Sequence, residues 1–253
     1  MSQQPDNHEQ EEQLAEGTLM SHLLELRSRL VKATAAVVVV FLALTPFTQR
    51  VFEVVSAPLI AALPEGSQMI ATDVASPFVT PFKTTFYVAL FIAMPVVLFQ
   101  IWQFVAPGLY KREKKFAIPL IVSSIVLFYT GMAFAYFVVF RLMFSFFAKV
   151  VPGGVMMAPD ISSYLSFVLG IFLAFGIAFE VPIATVMLIW SGLVSLKTLQ
   201  SGRRYVFLGA FVVGAVLTPP DVFSQTLLAV PMYLLYEGGM IMAKIMLPEK
   251  TKQ

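Results

Sequence analysis

The sequence predicts an all-α integral membrane protein with six transmembrane helices and both ends in the cytoplasm. Three observations predict it. Between residues 31 and 253 the chain holds six apolar stretches, most of them near the roughly 20 residues that an α-helix needs to cross about 30 Å of hydrocarbon. Charged residues make up 13% of the chain and hydrophobic residues 58%, with a mean hydropathy of +0.82, whereas soluble domains carry about 25% charged residues. Finally, 13 of the 17 Lys and Arg residues fall in segments that would share one side of a membrane.

Residues 1–17 contain Asp6, Glu9, Glu11, Glu12 and Glu16 and no Lys or Arg. Such a composition buries too little apolar surface to order itself, so a disordered acidic tail is expected. From residue 18 to residue 30 the pattern changes: Leu19, Leu23, Leu26 and Leu30 recur at helical spacing, with Glu25, Arg27 and Arg29 on the other faces. That spacing predicts a cytoplasmic amphipathic helix leading into the membrane. Residues 31–247 form the six-helix transmembrane domain, with spans near 31–49, 84–106, 116–147, 162–190, 205–218 and 222–242. The first span is expected to be retained, because no small-residue cleavage site ends a short apolar region there. Between the first two spans, residues 50–83 form the long exterior loop, which Pro58, Pro64, Gly66, Pro77 and Pro81 break into short helices. Residues 248–253 remain as a cytoplasmic tail.

The last two spans are short. Residues 205–218 cover about 21 Å at 1.5 Å per residue, and residues 222–236 reach Glu237 after only 15 positions that include Ser224, Gln225 and Thr226. The Thr218-Pro219-Pro220-Asp221 link makes them a hairpin. Either the bilayer is thinned or indented there, or the helices extend beyond these limits.

Orientation follows from the basic residues. Arg27, Arg29 and Lys32, then Lys111, Arg112, Lys114 and Lys115, then Lys197, Arg203 and Arg204, then Lys244, Lys250 and Lys252 lie on one side, against Arg50, Lys83, Arg141 and Lys149 on the other. By the positive-inside rule the richer side is cytoplasmic.

Several chemistries are excluded. The chain has no Cys, and its only histidines, His8 and His22, precede the first span, so no His- or Cys-based metal site or nucleophile is expected within the membrane. No cofactor and no nucleic-acid partner are expected. An intramembrane hydrolase would need a Ser–Lys pair, and no span interior carries a Lys. A proton-coupled secondary transporter of a small solute would use Glu180, but such proteins usually gather several ionisable groups around a midplane cavity.

Two polar features interrupt the pattern. Glu180 lies deep in the fourth span, two residues before Pro182. A carboxylate there is costly and faces other helices, water or a partner, and the proline removes one helical hydrogen bond beside it. It serves either as a bonded group holding the bundle together or as a polar site for a partner helix or an ion. The second feature is the pair Glu25 and Glu113, acids on a basic face. Two carboxylates can each take a guanidinium through parallel hydrogen bonds and so hold two consecutive arginines. Equally, Glu25 can pair with Arg29 at i,i+4 while Glu113 is solvated among lysines.

The motifs His22-Leu23-Leu24-Glu25-Leu26-Arg27, Ser56-Ala57-Pro58-Leu59, Ala71-Thr72-Asp73, Phe104-Val105-Ala106-Pro107-Gly108-Leu109-Tyr110 with Glu113, Phe179-Glu180-Val181-Pro182 and Leu217-Thr218-Pro219-Pro220-Asp221 occur in this order. Together they resemble the TatC family, the multispanning receptor subunit of the twin-arginine protein translocase. The resemblance runs from about Met20 to Lys244. It implies a receptor in the bacterial inner membrane that exports folded proteins using the proton-motive force. It further implies that Glu25 and Glu113 bind the arginine pair of a signal peptide, with Arg27 and Phe104 in support. Glu180 and Gln225 would mark where single-span partners of the TatA and TatB type dock, and Pro58 and Asp221 would shape the exterior cap. A multimeric complex in the lipid bilayer is the expected working form.

Overall fold

Helices supply nearly all the regular structure in the computed structural model, which describes residues 7–60, 69–105, 114–150, 158–218 and 221–247. In order they are α1 (Asn7–Leu44), α2 (Thr48–Ile60), α3 (Ser76–Val105), α4 (Lys114–Phe134), α5 (Phe140–Val150), α6 (Ile161–Trp190), α7 (Leu196–Leu217) and α8 (Val222–Met246). A single 3₁₀ turn, Thr45–Phe47, joins α1 to α2, and one turn of π-helix, Ala135–Val139, joins α4 to α5. The described residues therefore make six long helical segments, in agreement with an all-α membrane architecture. Among the described residues, five stretches are long and apolar enough to cross a bilayer: His22–Ala57, Ser76–Val105, Ile118–Phe147, Ile161–Trp190 and Val222–Met246. The remaining segment, α7, fifth in the chain, opens with the polar run Leu-Lys-Thr-Leu-Gln-Ser-Gly-Arg-Arg and becomes apolar only from Tyr205.

Helix ends differ from those the sequence suggests. Helix α1 starts at Asn7, inside the stretch whose acidity points to disorder, because its Glu, Gln, Leu and Ala are all strong helix formers. Helix α3 starts eight residues before the expected limit of 84. Pro77 lies in its first turn, where no N–H partner is needed, so this proline opens a helix instead of breaking the loop. Helix α2 likewise runs through Pro58. The final hairpin is longer than residues 205–218 and 222–242: α7 has 22 residues and α8 has 25. Both now measure at least about 33 Å at 1.5 Å per residue, and what remains short is the apolar part of α7.

Side-chain hydroxyls and carboxylates set three helix starts. Asp160, Ser195 and Asp221 accept hydrogen bonds from the backbone N–H of Ser163, Thr198 and Ser224 at 2.8, 3.1 and 2.7 Å. Each cap occupies a donor that the first turn leaves free.

Helix α6 is the centre. It packs against α3, α4, α7 and α8, and its Leu165, Val168, Leu169, Ile171, Phe175 and Met187 are almost wholly buried. Glycines permit the close approach. A Cβ at Gly131 of α4 would collide with the Phe175 carbonyl oxygen, and one at Gly239 of α8 would lie 2.8 Å from the Pro182 Cα. In hydrocarbon, helices gain little from hiding apolar groups from one another, so small residues that bring backbones together matter more. Helix α1 is peripheral, packed on α3 with only Val37 of its transmembrane part buried.

At the end opposite the main Lys and Arg clusters, the segment after α2 is tied to the start of α6. Ile70 donates its N–H to the Pro159 carbonyl at 3.1 Å, and Ile161 donates to the Ile70 carbonyl at 2.9 Å. Thr72 adds two bonds to Asp160 Oδ2, from its N–H at 3.1 Å and its hydroxyl at 2.8 Å.

Candidate functional site

The first polar cluster lies where the amphipathic part of α1 meets the last turns of α3. Arg29 donates from Nε and Nη2 to Glu25 Oε1 at 2.9 and 2.5 Å. Its Nη1 donates to the side-chain oxygens of Gln103 and Gln100, the latter at 3.5 Å. One turn away the His22 ring stacks on Phe104, with centroids 4.4 Å apart and planes 20° from parallel. The i,i+4 spacing puts Glu25 and Arg29 on one face of α1, and Gln100, Gln103 and Phe104 present the matching face of α3. Both ionic partners stay partly accessible, with 21% of the Arg29 side chain and 35% of the Glu25 side chain exposed.

Of the residues singled out from the sequence, this cluster unites Glu25 and Phe104. Arg27 is exposed and makes no hydrogen bond or ion pair among the described residues. Glu113 lies outside the described residues, in the segment that follows α3 directly. Gln100 and Gln103 were not legible as partners. Their only sequence signal is two amides three residues apart in an otherwise apolar span.

The second cluster is internal. Glu180 on α6 is 8% exposed, so its carboxylate lies inside the helix bundle. Two neighbouring helices explain its position. Ser124 of α4 donates its hydroxyl to Glu180 Oε2, and Trp102 of α3 donates its indole N–H to Ser124 Oγ at 2.8 Å. The other carboxylate oxygen, Oε1, has no hydrogen-bond partner among the described residues. Trp102 precedes Gln103, so the two clusters meet on adjacent residues of α3.

At the opposite end, Asp221 caps α8 through Oδ1, while its Oδ2 and the Ser224 hydroxyl are buried without partners among the described residues. Gln225 is half-buried, and its backbone approaches Gly214, where a Cβ would lie 3.2 Å from the Gln225 carbonyl oxygen. Pro58 lies within α2. The structure does not bring these residues to Glu25. Asp160, which the sequence did not single out, has more to hold than any of them, and its signal was the cap pattern Asp-Ile-Ser-Ser before an apolar run. The Ser163 N–H, and then the Thr72 hydroxyl and N–H, hold its carboxyl well below the usual carboxylate range, since each bond favours the charged form.

No group of three or more His, Cys, Asp or Glu that could hold a metal ion occurs among the described residues. The fold and these clusters define a polytopic membrane protein whose polar side chains link neighbouring helices. Comparison with known proteins agrees. Residues 21–231 match the family model described as Sec-independent protein translocase protein (TatC). The Sec-independent protein translocase protein TatC of Azotobacter chroococcum mcd 1 is 60% identical over 221 residues, covering 87% of each chain. That of Escherichia coli (strain K12) is 58% identical over 226 residues, covering 89% of this chain and 88% of the relative. A crystal structure of the twin arginine translocase receptor TatC superposes with a TM-score of 0.79 at 38% identity, over 88% of this chain and 98% of that one. The chain belongs to the TatC family, and is thus a membrane component of a Sec-independent protein translocase that works with other subunits of that system.

Proposed function

We propose that the basic end of this chain is the receptor face of the translocase, on the cytoplasmic side of a bacterial inner membrane. Glu25 and Glu113 each take one guanidinium of a twin-arginine signal peptide, with Arg27 and Phe104 in support. One observation carries this reading: the His22–Phe104 stack and the Arg29–Gln103 bond seat the Glu25 helix on the last turn of α3, immediately before the segment that bears Glu113. Carboxylates suit the task, because an arginine fork matches them with two parallel hydrogen bonds. Lys111, Arg112, Lys114 and Lys115 repel a cationic ligand at long range, so capture depends on short-range pairing that salt weakens.

On the same reading, both termini are cytoplasmic, and the chain works in several copies to export folded cargo with the proton-motive force. Glu180 and Gln225 mark the intramembrane positions for single-span subunits of the TatA and TatB type. Glu180 Oε1, which has no hydrogen-bond partner among the described residues, supports this for Glu180. Because that carboxylate is buried, a partner reaches it only by parting the helices around it. Pro58 and Asp221 act on the exterior side by shaping the cap.

Crosslinking of a twin-arginine peptide to the membrane-inserted protein tests the proposal. Glu113→Ala abolishes the crosslink and Glu25→Ala weakens it, with insertion unchanged in both. Undiminished crosslinking in both variants would remove the assignment.

A further inference from the structure

We propose that Arg29 is a specificity-determining residue of this face, an internal guanidinium ligand of Glu25 that an incoming arginine must outcompete. The inference rests on the reading that Glu25 receives a peptide arginine. It starts from how Arg29 is held. Two of its nitrogens converge on one oxygen of Glu25, at 2.9 and 2.5 Å, while the third reaches across to Gln103 and Gln100 on α3. A guanidinium has five donors in a fixed planar fork and no acceptor, and here all three of its nitrogens are engaged at once.

Charge sets the terms of the competition. The glutamines hold Arg29 through neutral carbonyl oxygens, and Glu25 is the only carboxylate bonded to it among the described residues. A cationic ligand approaching Glu25 therefore meets a neutralised pair instead of a free negative charge. It gains the full carboxylate only when Arg29 lets go. Letting go is made easier by Gln103 and Gln100, which keep hold of the displaced guanidinium.

This arrangement separates arginine from lysine. Arg29 sets two donors of its planar fork on one oxygen of Glu25; an incoming arginine can offer the same two donors, or span both oxygens with parallel bonds, whereas a lysine ammonium is a compact point charge without that fork. The incumbent thus penalises lysine more than arginine. A pairing that only steadied α1 would make no such distinction, and its loss would leave binding unchanged or weaker.

The test uses the full chain in lipid nanodiscs and two fluorescent signal peptides that differ only in carrying Arg-Arg or Lys-Lys. Arg29→Gln tightens binding of the Arg-Arg peptide by about two- to fivefold, the range of a partly exposed ion pair. It tightens the Lys-Lys peptide more, so the preference for arginine falls. Arg29→Lys moves both affinities in the same direction by less, and it decides the matter if the glutamine variant does not yield a monodisperse protein. Lys32→Gln, which removes a charge one turn further along α1, leaves the Arg-to-Lys ratio unchanged. Unchanged or weakened Arg-Arg binding in Arg29→Gln overturns the inference. Glu25→Gln separates the two layers: loss of Arg-Arg binding there alongside a flat Arg29→Gln response removes the role of Arg29 alone. Full Arg-Arg binding by Glu25→Gln removes the assignment of Glu25 beneath it.

Discussion

Replacing Ser124 by alanine probes whether the buried bond linking Trp102, Ser124 and Glu180 holds three helices together. Ser124 is fully buried, and its hydroxyl is engaged on both sides, accepting from the Trp102 indole at 2.8 Å and donating to Glu180 Oε2. Alanine removes both bonds and leaves neither group open to water. A buried polar group deprived of its partner costs about 1–3 kcal/mol in soluble proteins. Interhelical bonds within membranes average nearer 0.6 kcal/mol, since the unfolded state in the membrane also finds partners. The expected cost is therefore about 1–3 kcal/mol, a factor of roughly 5 to roughly 160 in the folded-to-unfolded ratio. Unfolding in detergent would measure it, in a Trp190→Phe background where Trp102 is the only tryptophan and its emission reports the lost bond. Ser123→Ala is the control, because that exposed hydroxyl bonds, among the described residues, only to Pro119 of its own helix and should cost under about 0.5 kcal/mol. Equal, small effects of the two substitutions with unchanged Trp102 emission would refute the reasoning.

The packing and the exterior tie give two further outcomes. Gly131→Ala puts a methyl group against the Phe175 carbonyl, a backbone atom that cannot swing aside, so it should destabilise the α4–α6 pair by about 1–3 kcal/mol; a neutral melting curve would contradict the close approach. Asp160 binds its proton less readily in the folded chain than its ordinary value of 3.8, so its stabilisation is complete above that value and is lost as pH falls through the lower folded one. Asp160→Asn should then lower stability at neutral pH and flatten the acid limb of the melting temperature below pH 3.8, and an acid limb as steep as in the parent would argue against the tie to Thr72.

Apolar runs and the bias of Lys and Arg made the number and order of the long helices legible, because a bilayer demands length and apolarity from the local sequence itself. Helix ends were less legible. Pro77 and Pro58 look like breakers in isolation, yet one lies in a first turn and the other inside α2. The amphipathic pattern exposed Glu25 and its i,i+4 partner Arg29, and Glu180 stood out as an acid in an apolar span. What completes each cluster comes from other helices. Gln103 meets Arg29 across 74 positions, and Ser124 meets Glu180 across 56. No local period encodes such meetings, which depend on how α1, α3, α4 and α6 turn their faces once packed. Asp160 is the opposite case, since its capping pattern was readable and only its hold on Thr72 required the fold.

The central claim is that the end of the molecule where α1 docks on α3 receives a twin-arginine peptide. A photoreactive amino acid placed at position 103, beside Arg29, tests it most directly. The account predicts a crosslink to an Arg-Arg signal peptide that is lost when the pair is changed to Lys-Lys or when unlabelled Arg-Arg peptide is in excess. No crosslink at position 103, together with a specific one from position 74 at the opposite end, would contradict it.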